Sequence, residues 1–121
     1  MPRTALKGYF DDFDQPRVTI NVVGPHREIT VDAVIDTGFD GDLCLPTQLG
    51  ITLGLELKDL TRVELADRTI KQELVFAGIV QLGKSKRDVN ILLTESDDAL
   101  LGANMLSYLE LDFVNRTIKI R

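Results

Sequence analysis

The sequence predicts an all-β fold, and three observations carry that expectation. Short segments alternate apolar and polar residues with the period of two that a half-buried strand requires. Turn-forming stretches separate them at close intervals, among them Gly24-Pro25-His26-Arg27, Gly83-Lys84-Ser85 and Asn115-Arg116. Helical spacing of apolar residues is sustained only once, near the C-terminus. A chain of 121 residues has room for one core, so residues 1–121 are read as a single domain, a compact barrel or sandwich of short strands.

The first strand is RVTINVV, residues 17–23. After the turn at Gly24, EITVDAVI (28–35) returns, more apolar toward its end, and delivers the chain to Asp36-Thr37-Gly38, where strand character stops. GDLCLP (41–46) reads as a short apolar strand, and Pro46 can begin a helical turn through Gln48 and Leu49. RVEL (62–65) and TIKQELVFAGIVQL (69–82) flank Ala66-Asp67-Arg68, a hairpin tip. The second of these strands is long, so Gly78 is expected to mark a bend or bulge. Gly83-Lys84-Ser85 turns the chain into RDVNILL (87–93), and TESDD (94–98) is a polar loop. Leu101, Met105, Leu106 and Leu109 then follow helical spacing, which predicts one short C-terminal helix. NRTIKIR (115–121) closes the chain with an alternating strand.

Composition removes several classes of function. Nineteen acidic residues against fourteen basic ones give a formal charge of −5. The basic residues are scattered, with Lys84, Lys86 and Arg87 their only local cluster. Nucleic-acid binding, which relies on clustered cations neutralising phosphates, is not expected. One cysteine, Cys44, rules out an intrachain disulfide framework and a multi-cysteine zinc site, and the single histidine, His26, argues against His-rich metal sites. No segment approaches the roughly 20 apolar residues that cross a bilayer. MPRTALKGYFDDF lacks an apolar stretch of secretion-signal length, so the expected location is the cytoplasm, with no membrane partner.

Three motifs are set aside. Gly78 to Ser85 matches the phosphate-binding pattern G-x-x-x-x-G-K-S, but its variable positions are Ile79, Val80, Gln81 and Leu82, and strand-like alternation follows where a helix is needed. Asp36 to Gly41 partly resembles a calcium loop, yet Gly38 and Thr47 stand where oxygen ligands are required. A His26–Cys44 nucleophilic pair would need a thiol in a polar setting, whereas Cys44 lies between Leu43 and Leu45.

Two segments remain. One is Val34-Ile35-Asp36-Thr37-Gly38-Phe39-Asp40-Gly41, and the other is Ala99-Leu100-Leu101-Gly102-Ala103-Asn104-Met105-Leu106. An apolar strand ending in D-T-G, followed at a distance by an apolar-apolar-Gly segment, resembles the retropepsin-like aspartic proteases, in particular their small prokaryotic members with D-T-G-F. The resemblance spans about residues 17–121. It implies a retropepsin-like acid protease fold with one short C-terminal helix, active as a homodimer, and an aspartic endopeptidase in which Asp36 of each subunit supplies one carboxylate of a dyad.

The same resemblance implies roles for neighbouring residues. Thr37 would hydrogen-bond across the twofold axis, and Gly38 would let backbone approach the carboxylates. Asp40 would hold the substrate main chain, and Ala66 and Asp67 would belong to a flap. Leu101 and Gly102 would pack behind the Asp36 loop. The arginine that often follows the second glycine is replaced by Ala103, so the loop's rigidity must come from elsewhere. Phe39 stands where viral members carry a small residue. The partners implied are a second copy of the chain, with the terminal TIKIR offering an edge strand, and a peptide or protein substrate. No cofactor and no metal is implied. A dimeric peptide-binding or regulatory module without useful turnover, and a plain β-barrel interaction domain, are the alternatives.

Overall fold

Alternation between core-facing and outward residues sets the strands, and their pairing closes them on one another. A computed structural model describes residues 6–121. In chain order it contains β1 (Leu6–Phe10), β2 (Pro16–Val23), β3 (Glu28–Asp36), β4 (Leu43–Pro46), α1 (Thr47–Leu53), β5 (Glu56–Glu64), β6 (Ile70–Leu82), β7 (Ser85–Thr94), β8 (Leu100–Gly102), β9 (Leu109–Asp112) and β10 (Thr117–Ile120). Strands follow the order β5-β6-β7-β4-β8-β3-β2-β1-β10-β9. A further antiparallel pairing of β2 with β6, Asn21 to Gln81 through Val23 to Ile79, joins the ends of the β2-β3-β8-β4-β7-β6 run into a barrel of six strands. Closure removes edges that would otherwise template aggregation.

The barrel is filled from its own alternating positions. Val18, Ile20 and Val22 of β2, Ala33 and Ile35 of β3, Leu43 and Leu45 of β4, Ile91 of β7 and Leu101 of β8 form one buried cluster with Leu53 of α1 and Ile118 and Ile120 of β10. Side chains of this kind contribute about 1.5–3 kcal/mol each when fully buried. Outside the barrel the chain extends in two directions. β1, β10 and β9 continue the sheet beyond β2, while β5, among the described residues, pairs only with β6, in a long two-stranded arm. Among the described residues no helix is long and apolar enough to cross a membrane.

The strands and turns read from the sequence are present, with instructive departures. The helix expected after Ala99 is reduced to a single 3-10 turn, Ala103–Met105, with β8 before it and β9 after it. Leu101 and Met105 are buried as their spacing implied. However, the backbone of Leu100–Gly102 bonds to β3 and β4, which leaves no i to i−4 ladder to propagate. The α-helix is α1, beginning at the turn expected after Pro46. TIKI is not an edge, because β10 pairs with β1 on one side and β9 on the other. β5 begins at Glu56, earlier than expected, since a strand exposed along its whole length shows no apolar alternation. Gly78 marks no bulge in the register of β6 against β7; it lies where β6 leaves β5 and takes up β2.

Candidate active site

β3 carries the buried run Ala33-Val34-Ile35 out of the barrel and ends at Asp36. β8 lies parallel to it, with Val34 opposite Leu100, Ile35 opposite Leu101 and Asp36 opposite Gly102. On its other side β8 pairs antiparallel with β4, Leu43 opposite Leu101. The second motif is therefore a strand inserted between the two strands that flank the Asp36 loop. Leu101 is fully buried behind that loop. Gly102 has to be glycine, because a Cβ there would run into the carbonyl of Gly41 and the ring of Phe39.

Within the loop, Asp36 Oδ1 accepts the Gly38 N–H at 3.0 Å, and the Asp36 carbonyl accepts the Phe39 N–H at 3.2 Å. Among the described residues Oδ2 of Asp36 has no donor. Asp36 is half-buried, and Thr37 and Gly38 are exposed. Two backbone bonds join the loop to the second motif: Gly102 N–H donates to the Asp42 carbonyl at 2.9 Å, and Ala103 N–H to the Phe39 carbonyl at 2.8 Å. Asp40 is exposed and its side chain meets no described hydrogen-bond partner.

Sequence reasoning missed the residue that fastens this end of the barrel. Asp42 is a buried carboxylate, 8% exposed. Its Oδ2 accepts the Asn90 backbone N–H at 2.8 Å, and its Oδ1 accepts the Asn104 side-chain amide. One side chain thereby ties the Asp36 loop to β7 and to the turn after β8. An aspartate immediately before an apolar core strand, Leu43-Cys44-Leu45, was the available signal. Arg87 adds longer bonds, at 3.4 Å each, to the carbonyls of Asn104 and Met105. Arg17 holds the approach to β8 by pairing with Asp98 at 3.0 Å and Asp11 at 2.6 Å. Together these contacts tie the Asp36 loop and the second motif to the barrel with alanine at position 103.

Ala66 and Asp67 lie at the tip of the β5–β6 arm, fully in the open. Asp67 Oδ1 accepts both the Thr69 N–H at 3.0 Å and the Thr69 hydroxyl at 2.6 Å. The Thr69 hydrogen bonds hold its carboxyl below the usual carboxylate range. That carboxylate shapes the turn, in which Arg68 adopts φ +70°. Where the arm joins the barrel, a cavity of about 440 Å³ opens between it and the Asp36 loop, lined by Phe39, Gly41, Asp42 and Asn104 on one side and Lys58, Asp59, Thr61 and Val75 on the other.

Two of the motifs set aside lie in ordinary strand and turn structure. Gly83 and Lys84 form the two-residue turn between Leu82 and Ser85, with Gly83 at φ +63°, and β7 follows instead of a helix. Cys44 is half-buried in β4, and desolvation, followed by the charge of Glu73, pushes its thiol pKa up, the opposite of an activated nucleophile.

A family model described as aspartyl protease matches residues 17–105. No curated protein sequence matches the chain. Among solved structures, a retropepsin-like aspartic protease from Rickettsia conorii superposes with a TM-score of 0.69 at 17% identity, covering 97% of this chain and 89% of the other. The retroviral protease-like domain of Ddi1 from Leishmania major gives a TM-score of 0.50 at 11% identity, covering 86% and 87% of the two chains. At these identities the structural matches establish a shared fold.

Proposed function

The chain belongs to the aspartyl protease family, and on that premise we propose that it is an aspartic endopeptidase whose dyad is assembled from the Asp36 of two subunits. One observation carries the reading: Asp36 ends a buried strand beside Gly102, with one carboxylate oxygen fixed by its own loop and the other open. Asp42, the nearest buried carboxylate in sequence, cannot serve as the second acid, because both of its oxygens accept N–H donors. A twofold axis supplies the missing group.

In the chemistry this implies, two adjoining carboxylates share one proton, because both cannot ionise in contact. The ionised member takes a proton from water, whose oxygen attacks the scissile carbonyl carbon. The protonated member hydrogen-bonds to the carbonyl oxygen as negative charge develops there. Transfer of a proton to the amide nitrogen then lets the C–N bond break. Carboxylates and water suffice, so no cofactor or metal enters. Thr37, exposed and without a described side-chain partner, is free to reach the other subunit. Asp40 binds substrate backbone, and Ala66 and Asp67 ride on a flap that closes over it. With β10 paired on both sides, β9, which among the described residues pairs only with β10, is the edge offered to a second copy. The single half-buried thiol suits a reducing cytoplasm.

The test is cleavage of a mixed peptide library by the wild type and by Asp36→Asn at acidic and neutral pH, with sedimentation of both. The wild type is expected to cleave as a dimer, and the variant to remain a folded dimer with cleavage at least about 10³-fold lower. Equal cleavage by the two would place the activity elsewhere. Peptide binding with no cleavage by either would favour a binding module on the same fold.

A further inference from the structure

Resting on the peptidase reading, we propose that Lys58 selects a substrate side chain that ends in a carboxylate, at the position where that side chain enters the cavity between the Asp36 loop and the arm. The register of β5 against β6 slips between Leu57, opposite Phe76, and Asp59, opposite Val75, so Lys58 is the unpaired residue of a bulge. Bulges re-aim side chains, and here both Lys58 and Asp59 line the cavity. The Lys58 ammonium donates to Asn90 Oδ1 at 2.7 Å. Asn90 is itself held by Asp42 through its backbone N–H. A neutral amide on a tethered strand thus fixes the cation in place.

An ammonium has three donors, and no described carboxylate lies within 4.0 Å of this one. The other charged groups facing the cavity are Asp42 and Asp59. Asp42 has both oxygens occupied, and Asp59 turns Oδ1 to the Leu60 N–H at 2.7 Å. Phe39, Val75 and Leu92 provide apolar lining for the methylene part of an incoming side chain. A glutamate or aspartate matches both features, with its stem on the apolar wall and its carboxylate on Lys58.

Library profiling of the wild type, Lys58→Met and Lys58→Glu tests the assignment. The wild type should favour an acidic residue at one position by about three- to tenfold in kcat/KM. Lys58→Met should lose that preference while the other positions keep theirs, and Lys58→Glu should reverse it toward Lys or Arg. A wild type indifferent to acid there, a basic preference abolished by Asp59→Asn, or variants that retain the acidic preference would each overturn the proposal. If the wild type cleaves nothing, the peptidase reading fails separately. Fluorescence anisotropy with acidic and neutral peptides then decides on Lys58, and equal affinities for wild type and Lys58→Glu would overturn the assignment.

Discussion

The Asp36 loop and the β5–β6 arm face each other across one cavity, yet they are built in opposite ways. Around the loop, backbone and side-chain bonds from β3, β4, β7 and the turn after β8 converge on a few residues, and no described buried side-chain polar atom lacks a partner. Along the arm, all nine residues of β5 are exposed, and large apolar side chains such as Leu60, Ile70 and Leu74 stand in the open. Local stability follows buried contacts and protected hydrogen bonds, so the anchors of the loop at Asp42 and Gly102 are expected to open late and the arm early in amide exchange. The proposed peptidase, which holds a carboxylate still while admitting a peptide, needs both behaviours. The comparison also separates residues by consequence: changes to the loop's anchors, Asp42 above all, should cost stability and turnover together, whereas changes on the arm should alter substrate capture alone.

Asp42→Ala should have the largest effect on stability. It removes the acceptor shared by the Asn90 N–H and the Asn104 amide, and should destabilise the fold by about 1–3 kcal/mol in denaturant titration. Asn104→Asp should be harmful as well, because it sets two carboxylates against each other. Adding Asp42→Asn should recover most of that loss, since the pair is then restored with its polarity reversed. An Asp42→Ala protein as stable as the wild type would erase the contrast between loop and arm.

Arg17→Met sharpens the comparison through pH. The side-chain hydrogen bond from Arg17 is the main cause that holds the Asp11 carboxyl below its ordinary range. Hydrogen bonds from the Thr19 and Tyr9 hydroxyls lead the same effect at Asp32. A carboxyl depressed in the folded state contributes stability above its unfolded pKa, near 3.9. That contribution disappears as pH falls through the folded value. Removing Arg17 returns Asp11 toward its ordinary range, so acid unfolding, followed by circular dichroism, should begin at higher pH in the variant. Coincident acid limbs would show that the tether on Asp98 and Asp11 contributes nothing.

On the arm, Asp67→Ala removes both bonds to Thr69 that shape the tip. Expected are an unchanged Tm, a several-fold rise in KM and faster amide exchange confined to the tip. A fall in Tm like that of an Asp42 variant would mean that the arm is part of the cooperative core. The smallest effect belongs to Lys84→Ala in the exposed β6–β7 turn, which should shift stability by no more than about 0.5 kcal/mol and leave cleavage unchanged. Magnesium-dependent ATP binding lost in this variant would revive the phosphate-loop pattern.

Much of this architecture is legible in particular residues. The alternation in Val18-Thr19-Ile20-Asn21-Val22 marks β2 and its buried face, and the apolar run Ala33-Val34-Ile35 identifies the strand that presents Asp36. Gly83 marks its hairpin, and Leu101 announces its burial. Asp42 ahead of Leu43-Cys44-Leu45 is a visible signal, but its partners are not legible, because Asn90 and Asn104 are ordinary polar residues until the fold sets them beside a buried carboxylate. Lys58 was equally silent, since a bulge is a property of two strands and cannot be read from one.

What the sequence by itself determined is local: the period-two strands, the turns, and a D-T-G at the end of a buried strand. Tertiary structure decided which backbone groups those residues satisfy. The spacing of Leu101, Met105, Leu106 and Leu109 suits a helix, but β3 and β4 stand on either side of residues 100–102 and claim the same N–H and C=O groups for a sheet. TIKI reads as a free edge, but β1, from the other end of the chain, and β9 take both of its sides. Periodicity records which face of a segment is buried. The hydrogen-bond partner is set by strands far away in sequence, because every covered backbone group must be satisfied by whatever the closed barrel places beside it.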